Sequence, residues 1–283
     1  MPKRSDPTAP DDRIELTQLA VDLAVRAGAL ALRVAERGLS VSTKSSATDV
    51  VTDADRAVED FLRAEIARAR PGDSVLGEER GDDRRRASAA RWLIDPIDGT
   101  VNFMLGLPIF AVSIAVEVDG ETVAACVHNP ASGAVFRATL GGGAFLAERR
   151  LTGPRSAPLA EAVVATGFGY GPRERARQGV VAGQLLAHVG NIRRLGSAAL
   201  DLCHLAAGWV DFYYEGGLNE WDVAAGLLVA SEAGVRLSGL GGRRAGPAMV
   251  AGGHPDHADE FFALLTSLSA GPVTSDEQGI GIS

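Results

Sequence analysis

Residues 91 to 103 read Arg-Trp-Leu-Ile-Asp-Pro-Ile-Asp-Gly-Thr-Val-Asn-Phe, an apolar run followed by two acidic residues. Arg91 to Ile94 are predicted to form a short buried strand, with Pro96 fixing a turn between Asp95 and Asp98 at its end. Carboxylates crowded at a strand end repel one another and lose hydration, so a fold that keeps them together needs a cation nearby. Oxygen ligands alone favour magnesium or manganese over zinc.

An isolated Asp-x-x-Asp pair has a simpler interpretation, in which both side chains only cap a turn and the next helix. Two other acidic segments favour a shared site instead. Glu78 and Glu79 follow the apolar pair Val75-Leu76, and the segment 220–222, Glu-Trp-Asp, opens a predicted helix far downstream. The sequence therefore predicts an acidic site built from three distant segments.

These segments resemble the three metal-binding motifs of the inositol monophosphatase family, part of the superfamily that includes fructose-1,6-bisphosphatases. The resemblance extends from about Lys44 to about Gly253. It is also carried by Lys44-Ser45-Ser46, Asp49 to Asp55, Gly196 to Ala199 and Asp211 to Glu215. It implies a layered α-β-α-β-α sandwich of mixed α and β structure, with the metal site between two halves.

The composition is that of an ordinary globular protein. With 283 residues and 46% hydrophobic content, the chain can bury a sizeable core. The apolar stretches are too short to span a bilayer and the N-terminus lacks the apolar segment of a signal peptide, so we expect a cytoplasmic protein with no membrane partner. Cys126 and Cys203 have no partner at metal-site spacing and are expected to be buried thiols.

The net charge of −8, from 28 Lys+Arg and 36 Asp+Glu, disfavours nucleic acid as the main ligand. Binding to a phosphate backbone relies on basic surface, which this chain lacks in excess. A small phosphate monoester would meet the same repulsion unless bound metal offset the acidic site. The charge therefore supports a metal independently of the resemblance.

The pattern of helices and strands predicts mixed layers rather than a doubly wound parallel sheet. Asp119-Gly120 predicts a hairpin turn between two long strands. Thr52 or Asp53 is predicted to cap one helix, and Ser197 is predicted to cap another over Ala198 to Ala207. Residues 81–90 are predicted to form a mobile loop. We expect a mobile tail over 1–11, one phosphatase domain over 12–270 with packed halves 12–153 and 154–270, and a flexible tail over 271–283.

The resemblance implies specific metal ligands. Glu78, Asp95 and the main-chain carbonyl of Ile97 would hold one magnesium ion, and Asp95, Asp98 and Asp222 would hold a second. Two or three ions are expected, with manganese as a possible substitute. Inhibition by lithium is expected from the resemblance alone.

The resemblance also implies catalytic roles for Glu78, Thr100 and Asp55. Glu78 and Thr100 would orient the attacking water, and Asp55 would help the Thr100 hydroxyl accept its proton. The residues by themselves leave other roles open, because Asp55 in a first helical turn can be a helix-dipole partner and Thr100 can be a helix cap. No covalent phosphoenzyme is implied.

Substrate contacts are implied at Asp98, Gly99, Thr100, Gly196, Ser197, Ala198, Glu215 and Asp222. Glu215 would accept hydrogen bonds from ring hydroxyls and repel a second phosphate. Asn219 departs from the histidine of some relatives, so the sugar-facing wall is expected to differ from theirs. Lys44 is a candidate for the edge of the site. Arg193-Arg194 could neutralise a distal substrate charge, but a solvated strand edge is the favoured interpretation.

The sequence therefore predicts a magnesium-dependent phosphatase of small polyol phosphates, with myo-inositol monophosphate foremost, acting as a homodimer. Fructose 1,6-bisphosphate, histidinol phosphate and a 3′-phosphorylated nucleotide remain alternative substrates. A regulatory protein that acts through protein partners is the alternative from another class. That alternative would gain weight if a ligand carboxylate were missing, and none is missing.

Overall fold

The computed structural model describes residues 10–43, 50–83 and 90–268, which form two main β-sheets with helices between and around them. In chain order the elements are α1 (Pro10–Ala35), β1 (Val41–Thr43), β2 (Val50–Thr52), α2 (Asp53–Ala69), β3 (Ser74–Gly77), β4 (Gly81–Asp82), β5 (Arg91–Asp98), α3 (Thr100–Met104), β6 (Ala111–Val118), β7 (Glu121–Asn129), β8 (Ala134–Thr139), β9 (Gly143–Leu146), β10 (Arg149–Arg150), a 3₁₀ turn (Leu159–Glu161), β11 (Val163–Thr166), α4 (Pro172–Leu185), β12 (Asn191–Arg193), α5 (Ala198–Ala207), β13 (Phe212–Glu215), α6 (Glu220–Glu232), β14 (Arg236–Ser238), β15 (Val250–Gly253) and α7 (Pro255–Ser267). The predictions for Lys44, for both tails outside 10–268 and for most of the 81–90 loop lie outside the described residues.

The larger sheet has eight strands in the order β10-β9-β8-β7-β6-β5-β3-β4. Its neighbours pair antiparallel except for β3 and β5, which are parallel. The smaller sheet has five strands in the order β12-β11-β13-β15-β14 and mixes parallel and antiparallel pairs. The prediction of mixed layers instead of a doubly wound parallel sheet is confirmed.

Helices cover both faces of each sheet. α1 and α2 pack on one face of the larger sheet, and α5 and α6 fill the space between the two sheets. α4 and α7 cover the outer face of the smaller sheet. A Cβ at Gly226 of α6 would lie 2.7 Å from the Cβ of Leu202 on α5, so glycine lets the two central helices approach closely. The predicted α-β-α-β-α sandwich is confirmed.

Short-range signals in the sequence set several turns and caps. Asp119 and Gly120 have φ values of 52° and 79° in the turn that joins β6 to β7, as a two-residue hairpin requires. Thr52 caps α2 and the Ser197 side chain caps α5. These predictions are confirmed because each depends on residues only a few positions apart.

The turn predicted at Pro96 is wrong. β5 continues through Asp98, and its pairing with β6 shifts register between the Asp95–Ser113 and Asp98–Ala111 pairs. Three steps on β5 oppose two on β6, which is a β-bulge. Proline has no N–H to donate to the ladder, and it is tolerated at a bulge because the extra residue there is not paired. The strand therefore carries both carboxylates.

Other boundaries differ from the predictions. Gly81–Asp82, placed in a mobile loop, pairs with β3 as a strand after a turn that uses the φ of 70° at Gly81. α1 begins at Pro10, two residues inside the predicted tail, at a first helical position where proline is favoured. The short strands β10 and β14 were not predicted. Among the described helices, none is long and apolar enough to cross a membrane.

Candidate active site and metal centre

The floor of the candidate site is the bulged end of β5. Asp95 is 2% exposed, and its Oδ1 accepts a hydrogen bond from the N–H of Ile97 (3.0 Å). Oδ2 of Asp98 accepts hydrogen bonds from the Ser197 hydroxyl (2.5 Å) and the Ala199 N–H (2.8 Å). Because these two donors stand at the start of α5, Asp98 joins the larger sheet to the central helix layer at the positive end of a helix dipole.

Thr100 and Asp55 form a buried pair behind this floor. The Thr100 hydroxyl lies 3.2 Å from Oδ1 of Asp55 and 3.0 Å from the Ile97 carbonyl oxygen. Oδ2 of Asp55 accepts hydrogen bonds from the N–H (2.8 Å) and hydroxyl (2.5 Å) of Thr52, which completes a capping box. Asp55 therefore caps a helix and also contacts Thr100. Thr100 itself is not a cap, because Gly99 is the N-cap of α3.

Glu78 follows β3, and its place depends on Glu59, which the sequence analysis missed. Glu59 is fully buried and accepts hydrogen bonds from the N–H groups of Glu79 (2.6 Å) and Arg80 (3.0 Å). A Cβ at Gly77 would lie within 2.4 Å of a Glu59 carboxylate oxygen, so glycine lets this carboxylate lie directly against the backbone. The segment on both sides of Glu78 is thus fixed by one buried acid.

The opposite wall carries Glu215 and Asp222. Glu215 is the last residue of β13, and its Oε2 accepts a hydrogen bond from the Tyr213 hydroxyl (2.9 Å). A Cβ at Gly167 would lie 1.9 Å from Oε1 of Glu215, so the carboxylate lies directly against this backbone. Oδ2 of Asp222 accepts hydrogen bonds from the N–H (2.7 Å) and side-chain amide (3.3 Å) of Asn219.

A cavity of about 110 Å³ brings these groups together. The predicted site residues that line it are Glu78, Asp95, Ile97, Asp98, Gly99, Thr100, Gly196, Ser197, Ala198, Glu215 and Asp222. Asp55 does not line the cavity and lies behind Thr100. A shallower groove of about 630 Å³ adjoins it through Leu218 and Asn219, but none of the predicted ligands lines that groove.

The buried carboxylates make this cavity electrostatically unfavourable. Burial raises the pKa of Asp95 well above its ordinary value, and the charges of Glu78, Asp98 and Asp222 raise it further. Burial raises the pKa of Asp98 to about 6, against the opposing effect of its hydrogen bond from Ser197. Burial, followed by the charge of Asp98, raises the pKa of Asp222 to about 8. Each charge is therefore costly without a cation.

The donor set fits a divalent cation. Within the described residues, no basic side chain is among the principal groups that shift the pKa of Asp95, Asp98 or Asp222. Every donor is an oxygen, from a carboxylate or from the Ile97 carbonyl, which suits magnesium. Within residues 10–43, 50–83 and 90–268, no three His, Cys, Asp or Glu side chains are already grouped to hold an ion. Main-chain N–H groups instead hold Asp95, Asp98 and Asp222 individually.

Comparison with known proteins identifies the family. A family model described as the inositol monophosphatase family matches residues 12–269. The chain belongs to the inositol monophosphatase family. It is therefore a phosphoric monoester hydrolase, the class to which inositol-1-monophosphatases belong. It is 44% identical over 238 residues to inositol-1-monophosphatase SuhB of Mycobacterium tuberculosis, covering 80% of this chain and 81% of the relative.

Other similar proteins carry different names. The chain is 39% identical over 220 residues to the Nus factor SuhB of Pasteurella multocida, covering 76% of this chain and 82% of the relative. The crystal structure of extragenic suppressor protein suhB from Bartonella henselae matches with a TM-score of 0.82 and 35% identity, covering 89% and 98% of the two chains. An IMPase/NADP phosphatase complexed with Mg²⁺ and phosphate matches with a TM-score of 0.78 and 19% identity, covering 93% and 99%, which shows a shared fold.

Some residues of the site escaped the sequence analysis. Glu59 lies four positions after Asp55 on the buried face of α2, and an acid inside an apolar helical stripe was the signal that could have found it. Phe168, Gly169 and Tyr170 also line the cavity. The alternating glycines of residues 167–171 were the signal in the sequence that could have found this loop. Arg194 is exposed, as predicted for a solvated edge, but it also lines the cavity.

Glu215 provides a test of this electrostatic picture. Burial raises the pKa of Glu215 from 4.5 to about 7. As pH rises through this window, the unfolded state loses the proton first, so the folded state loses stability. We expect Glu215→Gln to raise the free energy of unfolding by about 1 to 3 kcal/mol at pH 8 and by little at pH 4.

Urea unfolding in the presence of chelator at both pH values measures this difference. Glu148→Gln is the matched control, because the Glu148 side chain is 97% exposed and its substitution should change stability little at either pH. An equal effect of Glu215→Gln at pH 4 and pH 8 would contradict the raised pKa.

Proposed function

We propose that this chain hydrolyses a small polyol phosphate monoester in a magnesium-dependent reaction, with myo-inositol monophosphate as the foremost substrate. The observation that carries this proposal is one cavity lined by four carboxylates and a main-chain carbonyl, together with Thr100 and Glu215. The family supports phosphoric monoester hydrolysis as the class of reaction.

The residues that would hold magnesium are those predicted from the sequence. Glu78, Asp95 and the Ile97 carbonyl would hold one ion, and Asp95, Asp98 and Asp222 a second. A third ion and replacement by manganese belong to the same proposal. Magnesium, when bound, supplies a coordinated water of lowered pKa and neutralises phosphoryl oxygens. Asp95, at 2% exposure, is buried more deeply than Asp98 at 9%, which suits the ligand shared by two ions.

Thr100 and Asp55 are placed to move a proton. The Thr100 hydroxyl donates toward Asp55 at 3.2 Å, which leaves its lone pairs free to accept a hydrogen bond from the attacking water. Asp55 is held by two donors from Thr52, so it is fixed as an acceptor for the Thr100 proton. Glu78, on the other side of the floor, would orient the same water. Water attacks phosphorus directly as the P–O bond to the polyol breaks, the polyol oxygen takes up a proton from solvent, and no phosphoenzyme forms.

The phosphate would lie between main-chain segments from both halves of the chain. Gly99 has a φ of 94°, and a Cβ there would lie 3.0 Å from the Gly196 carbonyl oxygen. This close approach brings the start of α3 beside the start of α5, where Ser197 and Ala198 line the cavity. Main-chain N–H groups at such positions are suitable donors to phosphate oxygens.

The polyol would face Glu215. Its carboxylate accepts hydrogen bonds from hydroxyls, which favours a sugar or cyclitol ring over an apolar leaving group. Its negative charge, beside that of Asp222, opposes a second phosphate on the substrate. Asn219 lines the same wall and is the N-cap of α6. Its capping role is a structural reason for asparagine at this position, where some relatives have histidine.

Other substrates and another class of function remain as alternatives. Fructose 1,6-bisphosphate, histidinol phosphate and a 3′-phosphorylated nucleotide share the phosphate ester that the cavity would recognise. A regulatory function through protein partners is favoured by one observation, the name Nus factor SuhB of a 39% identical relative. The two functions are compatible, because all predicted ligand residues are present and line one cavity.

Removal of metal should abolish activity. We expect no hydrolysis in excess chelator and recovery on addition of magnesium, because the carboxylates otherwise repel the substrate. Asp95→Asn removes the shared charge and should lower kcat by about 100-fold or more while the fold persists. Assays of phosphate release and circular dichroism measure both effects. Asp119→Asn is the control, because it makes the same chemical change in an exposed turn. Near-normal turnover in Asp95→Asn would contradict the proposal.

A substrate panel under saturating magnesium tests the identity of the substrate. We expect inositol 1-phosphate to exceed fructose 1,6-bisphosphate and histidinol phosphate in kcat/KM, because Glu215 favours hydroxyls and repels a second phosphate. Glu215→Gln should mainly weaken this selectivity, with a smaller effect on the magnesium requirement. A tenfold preference for another substrate, about 1.4 kcal/mol of transition-state stabilisation, would overturn the inositol assignment and leave the metal-dependent phosphatase.

A homodimer remains a prediction. The apolar residues after Pro108 could contribute an interface, although residues 111–116 are buried within the larger sheet and so are already covered. Leu105 and Leu107, at 64% and 46% exposure just before Pro108, are the better candidates for such a contact. Light scattering should give a dimer mass, and a monomer at all concentrations would contradict the prediction.

A further inference from the structure

Two loops flank Glu215 in the wall that faces the polyol. The first, residues 167–171, follows β11 and has the sequence Gly-Phe-Gly-Tyr-Gly. The second begins at Gly216, directly after Glu215. Both loops line the cavity, so their separation sets the shape of this wall.

The side-chain amide of Gln178, on α4, connects the two loops. Its Oε1 accepts a hydrogen bond from the N–H of Gly169 (2.7 Å), and its Nε2 donates to the carbonyl oxygen of Gly216 (3.1 Å). Gln178 is 8% exposed, so loss of the amide would leave buried main-chain groups unpaired. An amide supplies the acceptor and the donor on one planar group, which neither a carboxylate nor an apolar side chain does.

The position of the bridge bears directly on Glu215. Gly167 starts the first loop, and its backbone lies so close to Glu215 that a Cβ there would fall 1.9 Å from a carboxylate oxygen. Gly216, which starts the second loop, follows Glu215 directly in the chain. Glu215 is therefore adjacent to both of the segments whose separation Gln178 fixes.

The bridge is separate from the parts that hold the loop and the metal. The guanidinium of Arg175 donates to the Tyr170 carbonyl oxygen (2.8 Å), so the first loop keeps an attachment to α4 without Gln178. Gln178 lines neither the cavity nor the predicted metal site. Its loss should alter the wall without unfolding the loop or removing a ligand.

We propose that Gln178 is a positioning residue that determines selectivity for polyol phosphates, by holding Gly169 and Gly216 at the separation that keeps Glu215 facing the substrate hydroxyls. The inference rests on the proposed function. It adds a residue from α4, outside the cavity, to the determinants of substrate choice. It predicts that recognition of hydroxyls, rather than the magnesium requirement, depends on this amide.

The experiment compares Gln178→Met, which loses both hydrogen bonds, with Gln178→Glu, which keeps only the acceptor for Gly169. Gln184→Met is the matched control, because Gln184 is exposed on the same helix. Inositol 1-phosphate and p-nitrophenyl phosphate, which lacks ring hydroxyls, are the two substrates under saturating magnesium. Gln178→Met should lower kcat/KM for inositol 1-phosphate about tenfold, mainly through a higher KM. It should lower kcat/KM for p-nitrophenyl phosphate by about twofold or less.

A double variant shows whether Gln178 acts through Glu215. In a Glu215→Gln background, Gln178→Met should change the ratio of the two kcat/KM values by less than about twofold. Equal losses on both substrates, or full additivity with Glu215→Gln, would overturn the inference while leaving the proposed function in place. A wild-type protein that hydrolyses neither substrate would instead overturn the proposed function, and the inference with it. If Gln178→Met does not fold by thermal melting, Gln178→Glu carries the same comparison.

Discussion

The hydrogen bonds from Ser197 and Ala199 to the carboxylate of Asp98 connect the larger sheet to the central helix layer. Ser197 and Asp98 are 99 positions apart, yet they fix the start of α5 against β5. Without this carboxylate, donors at the start of a buried helix would lack a partner. The central helix layer and the floor of the cavity thus depend on one side chain, which is also a predicted metal ligand. Fold and site are not separable here.

The same cavity concentrates charge that the fold does not neutralise. Burial raises the pKa of Asp98 to about 6, of Glu215 to about 7 and of Asp222 to about 8. Apolar or neutral residues in such positions would ordinarily give a more stable protein. A protein that keeps these acids trades stability for a place where a divalent cation and a phosphate can meet.

Two of the predicted site residues also cap helices. Asp55 forms a capping box with Thr52, and Asp222 forms one with Asn219. The main-chain N–H groups at helix starts need acceptors, and carboxylates that satisfy them lose rotational freedom. The capping role and the predicted functional role of each acid are therefore compatible, because the caps hold Asp222 in the wall of the cavity and Asp55 behind Thr100. Glu59 extends this arrangement by holding the segment next to Glu78.

The sequence by itself determined what depends on near neighbours. The Asp-x-x-Asp motif, the hairpin at Asp119-Gly120 and the caps at Thr52 and Ser197 were all readable, because turn and cap chemistry acts over two to four residues. The motifs also indicated the family, and with it the layered sandwich.

Only the tertiary structure decided what depends on distant partners. The bulge at Pro96 exists because β6 pairs with β5 on both sides of it, and the roles of Glu59 and Gln178 appear only when residues 20 and 38 positions away are placed beside them. Periodicity carries no information about such partners, because their positions follow from how layers pack. Packing brings the acids of the cavity close together and excludes water from all of them at once. The charged forms of these acids are costly for that reason.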